Sequence, residues 1–164
     1  MFNDAKGSGV DNLKNVLSAY AVYNPLVGYC QGMGMVVGIM LMRMPAEDAF
    51  YLLIAIVDRY MTDYYTPDLS QLRQDGLVFD HLLHKHSKRV AKKLDQLGID
   101  PLVYLTQWFM PIYAISLPWR AVLRVWDIFF CDGVKALHRI ALGIIHLSQG
   151  KLGRIYFRLY TWGE

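Results

Sequence analysis

No charged residue occurs between Lys14 and Arg43. So long an uncharged run is hidden from water, either by other protein or by lipid. Asn24-Pro25 and Gly28 interrupt it, which ends one helix and begins another. The run also holds the polar residues Asn15, Ser18 and Gln31. What remains unbroken, Tyr29 to Met42, falls short of the ~20 residues a helical membrane span needs. The expected structure is therefore a buried helix at the centre of an all-helical domain, with a membrane-embedded segment as the weaker alternative.

Helical spacing dominates the rest of the chain, and no long apolar/polar alternation suggests a sheet. Asp11 to Tyr23 places Leu13, Val16, Leu17 and Tyr20 on one face. Tyr29 to Met42 reads as a second helix, apolar all round. Pro45-Ala46-Glu47-Asp48 opens a third that runs to about Tyr60, with Pro and acids suited to a helix N-terminus. Met61 to Pro67 is a loop. A helix from about Asp68 carries Leu69, Leu72, Phe79 and Leu83, and a more polar segment, His84 to Leu97, stops at Gly98. Asp100-Pro101 reads as a cap followed by Pro at the first helical position. The next helix holds Tyr104, Leu105, Trp108, Phe109 and Ile112, with Pro111 bending or ending it. After Leu117-Pro118, Val122, Val125, Trp126 and Phe129 share a face, while Arg120, Arg124 and Asp127 lie elsewhere. Gly133 separates this helix from one carrying Leu137, Ile140, Ala141 and Ile144. From Ser148 the pattern fails. The fold class is all-α, with short helices stacked rather than arranged as a simple four-helix bundle.

At 164 residues the chain is one domain or most of one. Hydrophobic content of 54% against 19% charged supplies a substantial core and argues against disorder. The 17 basic and 14 acidic residues leave +3, too weak a charge for nucleic acid, and no basic-aromatic RNA-binding pattern accompanies it. Cys30 and Cys131 show no paired spacing, so the reading is a reducing, cytoplasmic compartment without disulfide framework or zinc site. Met1-Phe2-Asn3-Asp4 has none of the features of a signal peptide.

Chemistry concentrates in Gly28-Tyr29-Cys30-Gln31-Gly32-Met33. A glutamine between glycines at a helix start either satisfies itself inside the core or is held toward a partner whose backbone the glycines let approach. A primary amide offers a donor and an acceptor at fixed separation, which suits the positioning of a water molecule. GTP hydrolysis needs such a water in line with the γ-phosphate, and a positive group to offset charge on the phosphoryl oxygens.

The hexapeptide resembles the glutamine motif of the TBC domain, the family of GTPase-activating proteins for Rab GTPases. The resemblance extends to Leu17-Ser18-Ala19-Tyr20-Ala21-Val22-Tyr23-Asn24-Pro25, to Arg43-Met44-Pro45-Ala46-Glu47 and to Asp100-Pro101-Leu102-Val103-Tyr104. It continues through Leu117-Pro118 and Leu123-Arg124-Val125-Trp126-Asp127-Ile128-Phe129-Phe130 to Gly133, and covers roughly Asp11 to Leu147 in family order. It implies that Gln31 is a catalytic glutamine supplied in trans. Gly28, Tyr29, Cys30, Gly32 and Met33 would shape the surface that meets the GTPase, and Trp126 and Asp127 would support that surface. The partner would be a Rab-family GTPase in its GTP state. GTP and magnesium would belong to that GTPase, leaving this chain without a cofactor of its own and without a substrate pocket of an enzyme. The setting implied is vesicle trafficking, in the cytoplasm or peripheral on endomembranes.

The family's second catalytic group is an arginine in a segment of the form Ile-x-x-Asp-x-x-Arg, upstream of the glutamine motif. No such segment is present, and Met1-Phe2 resembles residues shortly after it. The expectation is a partial domain over residues 1–147 with a divergent or truncated tail over 148–164. The chain is then a fragment or truncated product, or a natural pseudo-GAP. The competing function is a noncatalytic helical scaffold that binds a GTPase or another protein. Arg43 and Arg59 are the nearest substitute arginines, in the wrong sequence context.

Other candidates are weaker. His81, His84 and His86 lack a third ligand of convincing spacing, so no metal is expected. Lys85, Lys88, Arg89, Lys92 and Lys93 form a basic run read first as a solvated face, with anionic lipid or an acidic partner as the alternative. Trp108, Trp119, Trp126 and the methionines are expected in the core. No nucleophile-elbow motif places a serine for hydrolysis.

Overall fold

Proline and glycine close four of the helices: Pro25 and Pro111 lack the N–H that would carry on the helices ending at Tyr23 and Phe109, and Gly98 and Gly133, with φ of 64° and 65°, follow those ending at Gln96 and Asp132. The computed structural model describes residues 8–148, and within them eight α-helices, one π-helical turn and no strand. The helices are α1 (Ser8–Tyr23), α2 (Met33–Leu41), α3 (Ala46–Ala55), α4 (Ser70–His86), α5 (Lys88–Gln96), α6 (Leu102–Phe109), α7 (Trp119–Asp132) and α8 (Val134–Ser148). The π turn, Ile56–Tyr60, continues α3. The all-α class and the stacking of short helices agree with the sequence reading. No described helix is long and apolar enough to cross a membrane. The tail from 149 onward lies outside the described residues.

Several boundaries differ from expectation. The second helix begins at Met33, not Tyr29, because Gly28 and Gly32 have φ of 61° and 103°. Nor is that helix buried all round. Met33, Val36, Val37, Ile39 and Met40 are buried, whereas Met35 and Met42 are exposed. The polar segment after Phe79 divides at Ser87, whose extended φ of −144° stops α4 at His86 and lets α5 start. Ile112 is not helical: α6 stops at Phe109, ahead of Pro111, which has no N–H to donate. Trp119 is exposed, not core. The caps expected at Asp100 and Gly133 are present. Asp100 Oδ1 accepts the Leu102 N–H at 2.7 Å, and Gly133 has φ of 65°.

Packing sorts the helices into two groups. α1 lies against α2 and α3, while α4 packs on α5, α6 and α8, and α7 on α8. Tyr60 links them, its hydroxyl donating to the Phe130 carbonyl at 3.4 Å with its ring against Phe129 and Phe130. Tyrosines, more than tryptophans, fill the centre. Tyr20, Tyr64, Tyr65 and Tyr113 are among the largest fully buried side chains. A buried hydroxyl is costly without a partner, and each of these four has one. Tyr64 donates to the Asp75 carboxylate, Tyr65 to the Met110 carbonyl at 2.7 Å and Tyr113 to the Leu137 carbonyl at 2.8 Å. Tyr20 accepts from the Asn24 amide at 3.4 Å. Burial pushes the Tyr20 hydroxyl up to about 12 and the other three higher, so all four act as neutral donors and acceptors. Asp75 thereby ties the 61–67 loop to α4, and His138 of α8 stands 3.4 Å from its backbone carbonyl. Replacing Asp75 with Ala should strand the Tyr64 hydroxyl and cost about 1–3 kcal/mol, measurable by urea unfolding, while Asp75→Asn should cost less.

α5 is clasped to α4 by His84. Its Nδ1 stands 2.9 Å from the Asp80 carbonyl and its Nε2 3.0 Å from Asp95 Oδ2. Both partners are acceptors, so both nitrogens donate only when the ring is protonated. The Asp80 backbone bond, then the Asp95 bond, raise the His84 pKa. The clasp therefore contributes fully below the ordinary histidine value of about 6.5 and fades as pH rises through the raised folded value. Thermal unfolding should show His84→Gln destabilising the chain at pH 5.5 and having little effect at pH 8.5.

Candidate functional site

The motif closes the nine-residue connection between α1 and α2, residues 24–32, with Met33 opening α2, and its geometry starts at Asn24. The Asn24 N–H still bonds the Tyr20 carbonyl at 2.8 Å, but Pro25 has no N–H to carry the helix on. Asn24 then closes the turn itself. Its side-chain oxygen accepts from Val27 at 3.3 Å and its carbonyl from Gly28 at 2.8 Å. Gly28 reverses the chain in the left-handed region, with open space where a Cβ would be. The Met33 N–H returns to the Cys30 carbonyl at 3.2 Å, and Met33 Sδ faces the Cys30 N–H at 3.4 Å. Met33 is buried, so these bonds pin the motif to the core while Gln31, between them, is exposed.

Gly32 is where the motif meets the other half of the molecule. A Cβ there would stand 3.2 Å from the Met110 carbonyl carbon, oxygen and Cβ. Only glycine combines φ of 103° with so close an approach. Met110 begins a turn, 110–118, that is held from three sides. Tyr65 bonds its carbonyl, Trp126 Nε1 donates to the Ile112 carbonyl at 3.1 Å, and Tyr113 is anchored on α8. Ile112 and Tyr113 both have positive φ, 48° and 60°. Such strain, about 1–2 kcal/mol per non-glycine residue, persists only where neighbours fix the backbone.

A cleft of about 500 Å³ opens along this seam. One wall is Val27, Tyr29, Cys30, Gln31, Gly32 and Met35; the other includes Tyr65, Leu69, Thr106, Gln107, Met110 and Ile115. No residue lining it carries a charge, and neither Arg43 nor Arg59 is among them. Arg43 follows the far end of α2, whose nine residues separate it from Gln31 by about 14 Å of helix. Among the described residues no hydrogen bond engages the Gln31 amide. Partial burial pushes the Cys30 thiol up, against a smaller opposing pull from the Gln31 backbone. The chain leading into and through the motif exposes apolar side chains: Val22, Leu26 and Tyr29, Leu26 by 89%.

Of the residues singled out in the sequence, Gly28, Tyr29, Cys30, Gln31, Gly32 and Met33 are together in this turn. Trp126 is 6% exposed and reaches the opposite wall through Ile112. Asp127 faces solvent and pairs with Arg124 at 3.8 Å, and it is not among the residues that line the cleft. Sequence reasoning missed Tyr65, Gln107, Met110 and Ile115. Nothing local marks them, since their role comes from contacts 30 or more residues away, although paired tyrosines in a loop, Tyr64-Tyr65, were a usable sign. Among the described residues one group of metal-type ligands comes together, Asp80, His84 and Asp95. It is the α4–α5 clasp, and His81 and His86 are not in it.

The sequence profile of the family described as Rab-GTPase-TBC domain matches residues 1–152. The chain is 43% identical over 155 residues to human TBC1 domain family member 10B, a match that covers 94% of this chain and 19% of that protein. It is 41% identical over 150 residues to mouse Carabin, covering 92% of this chain and 34% of Carabin. Its fold superposes on the crystal structure of the Chlamydomonas flagellar RabGAP TBC domain with a TM-score of 0.79 and 28% identity, covering 92% of this chain and 50% of that one. The chain thus spans a minor part of these curated relatives and half of the solved structure.

The two motif glycines should respond unequally to alanine. At Gly28 only backbone strain opposes the methyl group, about 1–2 kcal/mol. At Gly32 the methyl group also presses on Met110 backbone, which should add about 1–3 kcal/mol. Urea unfolding of Gly28→Ala and Gly32→Ala should show this order. Equal losses would mean that the Gly32–Met110 approach does not carry the seam.

Proposed function

The chain belongs to the Rab-GTPase-TBC domain family, and from that premise we propose that it docks a Rab-family GTPase in its GTP state and holds Gln31 toward the nucleotide. The observation that carries this reading is the state of Gln31. Its amide is exposed at the cleft rim, free of internal hydrogen bonds among the described residues, on a backbone fixed by Gly32 and Met33. A fixed backbone with an unengaged amide is what positioning a partner's water requires. The exposed Val22, Leu26 and Tyr29 supply apolar surface for the partner around it. Gly28, Cys30 and Met33 hold the turn, and Trp126 supports the opposite wall. Asp127 has no such contact, and its support is inferred from the resemblance alone. GTP and magnesium are brought by the GTPase. The encounter belongs to vesicle trafficking, in the cytoplasm or at the surface of endomembranes, in keeping with two free cysteines.

A second reading rests on the neutrality of the cleft. No residue lining the cleft is an arginine, so on this reading the cleft offers a water-positioning group without a charge-offsetting one beside it. An arginine finger is worth ~10³ to 10⁵ in rate, or at least ~4 kcal/mol of barrier. A chain that binds a GTPase without accelerating it is the noncatalytic scaffold.

Single-turnover GTP hydrolysis across a panel of Rab GTPases separates the two. The 164-residue chain should stimulate weakly. The same chain carrying an N-terminal segment of the form Ile-x-x-Asp-x-x-Arg should stimulate strongly, and Gln31→Ala in that longer protein should lower the rate roughly 10²-fold. Binding with no stimulation by the longer protein on any Rab would establish the scaffold reading. Full stimulation by the 164-residue chain would place the cationic group within it.

A further inference from the structure

α5 and the end of α4 present a second surface. Successive residues of a helix turn by about 100°, which sets Lys88, Arg89, Lys92 and Lys93 within an arc of about 140°. Val90, Ala91 and Leu94 occupy the opposite side and pack inward. Lys85 adds a fifth positive charge from the last turn of α4. All five are exposed, and among the described residues none is in an ion pair. The acids of this stretch, Asp80 and Asp95, are both engaged by His84. At the edge of the basic arc Leu97 is 42% exposed.

We propose that this face lies on membrane surfaces rich in anionic lipid, with Leu97 entering the headgroup boundary. Four of the five cations are lysines, mobile point charges that suit a diffuse anionic plane, whereas bidentate recognition of an acidic peptide favours arginine in a groove. The apolar side of α5 is taken up by the core, so the attraction of its convex basic face to the anionic plane carries the contact, with Leu97 as the apolar residue at its margin. It is also clear of the cleft. Leu69, which precedes α4, lines the cleft, and α5 sits at the other end of α4, whose 17 residues span about 25 Å. A membrane under α5 leaves Gln31 uncovered.

The test is co-sedimentation of the 164-residue chain with vesicles of phosphatidylcholine alone or mixed with phosphatidylserine. Binding should require phosphatidylserine and weaken as salt is raised. Lys88→Glu with Lys92→Glu should weaken it at least about tenfold, and Leu97→Asp should weaken it less. Arg120→Glu with Lys135→Glu, an equal change of charge on exposed residues elsewhere, should weaken it far less. Gln31→Ala should bind vesicles like the unaltered chain, so this surface and the GTPase reading stand or fall separately. Circular dichroism confirms that each variant folds. Equal binding to both vesicle types, equal loss in the two charge-reversal pairs, or binding to polyglutamate or duplex DNA without binding to vesicles would overturn the proposal.

Discussion

The seam of this molecule depends on one close approach, Gly32 against the backbone of Met110. On one side of it stand α1 and α2 with the glutamine motif. On the other stand the turn after α6 and the helices that hold it. A side chain at position 32 would wedge the two apart, so the cleft has its width because this position has none. Tyr65 fixes the Met110 carbonyl that Gly32 rests against, and it does so from a third element, the 61–67 loop. Three segments distant in sequence are thus referenced to one backbone carbonyl. That is the kind of rigid support a positioned side chain needs, because its own conformational entropy is the only freedom left to lose.

The interior around this contact is polar in a controlled way. Tyr64, Tyr65 and Tyr113 are sealed from solvent, yet each hydroxyl donates to an oxygen of another element. Such bonds add little net stability when made, and leaving a buried hydroxyl without its partner costs more than the bond contributes. They therefore act as registers: a helix that slid by one turn would strand several hydroxyls at once. The strained turn at Ile112 and Tyr113 is tolerated on the same terms, since Trp126 and Tyr113 fix it at both ends.

Function, on the reading proposed, separates onto distinct surfaces. The cleft is neutral and apolar-walled, with the unengaged amide of Gln31 at its rim. The basic face is charged where the cleft is neutral, and stands at the far end of α4. A partner that covers the first leaves the second in solvent, so contact with a GTPase and contact with an anionic surface need not compete.

The uncharged run from Asn15 to Met42 determined by itself that a helix would be enclosed by protein, because removing it from water is the dominant driving force and no span of membrane length survives Asn24-Pro25 and Gly28. The motif order likewise determined the family, and Asp100, Pro118 and Gly133 marked helix boundaries that the structure keeps, since caps and stops act through neighbouring residues alone. Sequence could not tell that Met35 is uncovered while Met33 is sealed, because which side of an all-apolar helix is covered depends on partners far along the chain. It could not tell that Ile112 leaves the helix for a left-handed conformation, since that requires Trp126 to hold its carbonyl. The opposite wall of the cleft, Tyr65, Gln107, Met110 and Ile115, was decided only by tertiary structure. Those residues carry no local signature of a site, and become one when the packing of α4 and α6 brings them across from Gln31.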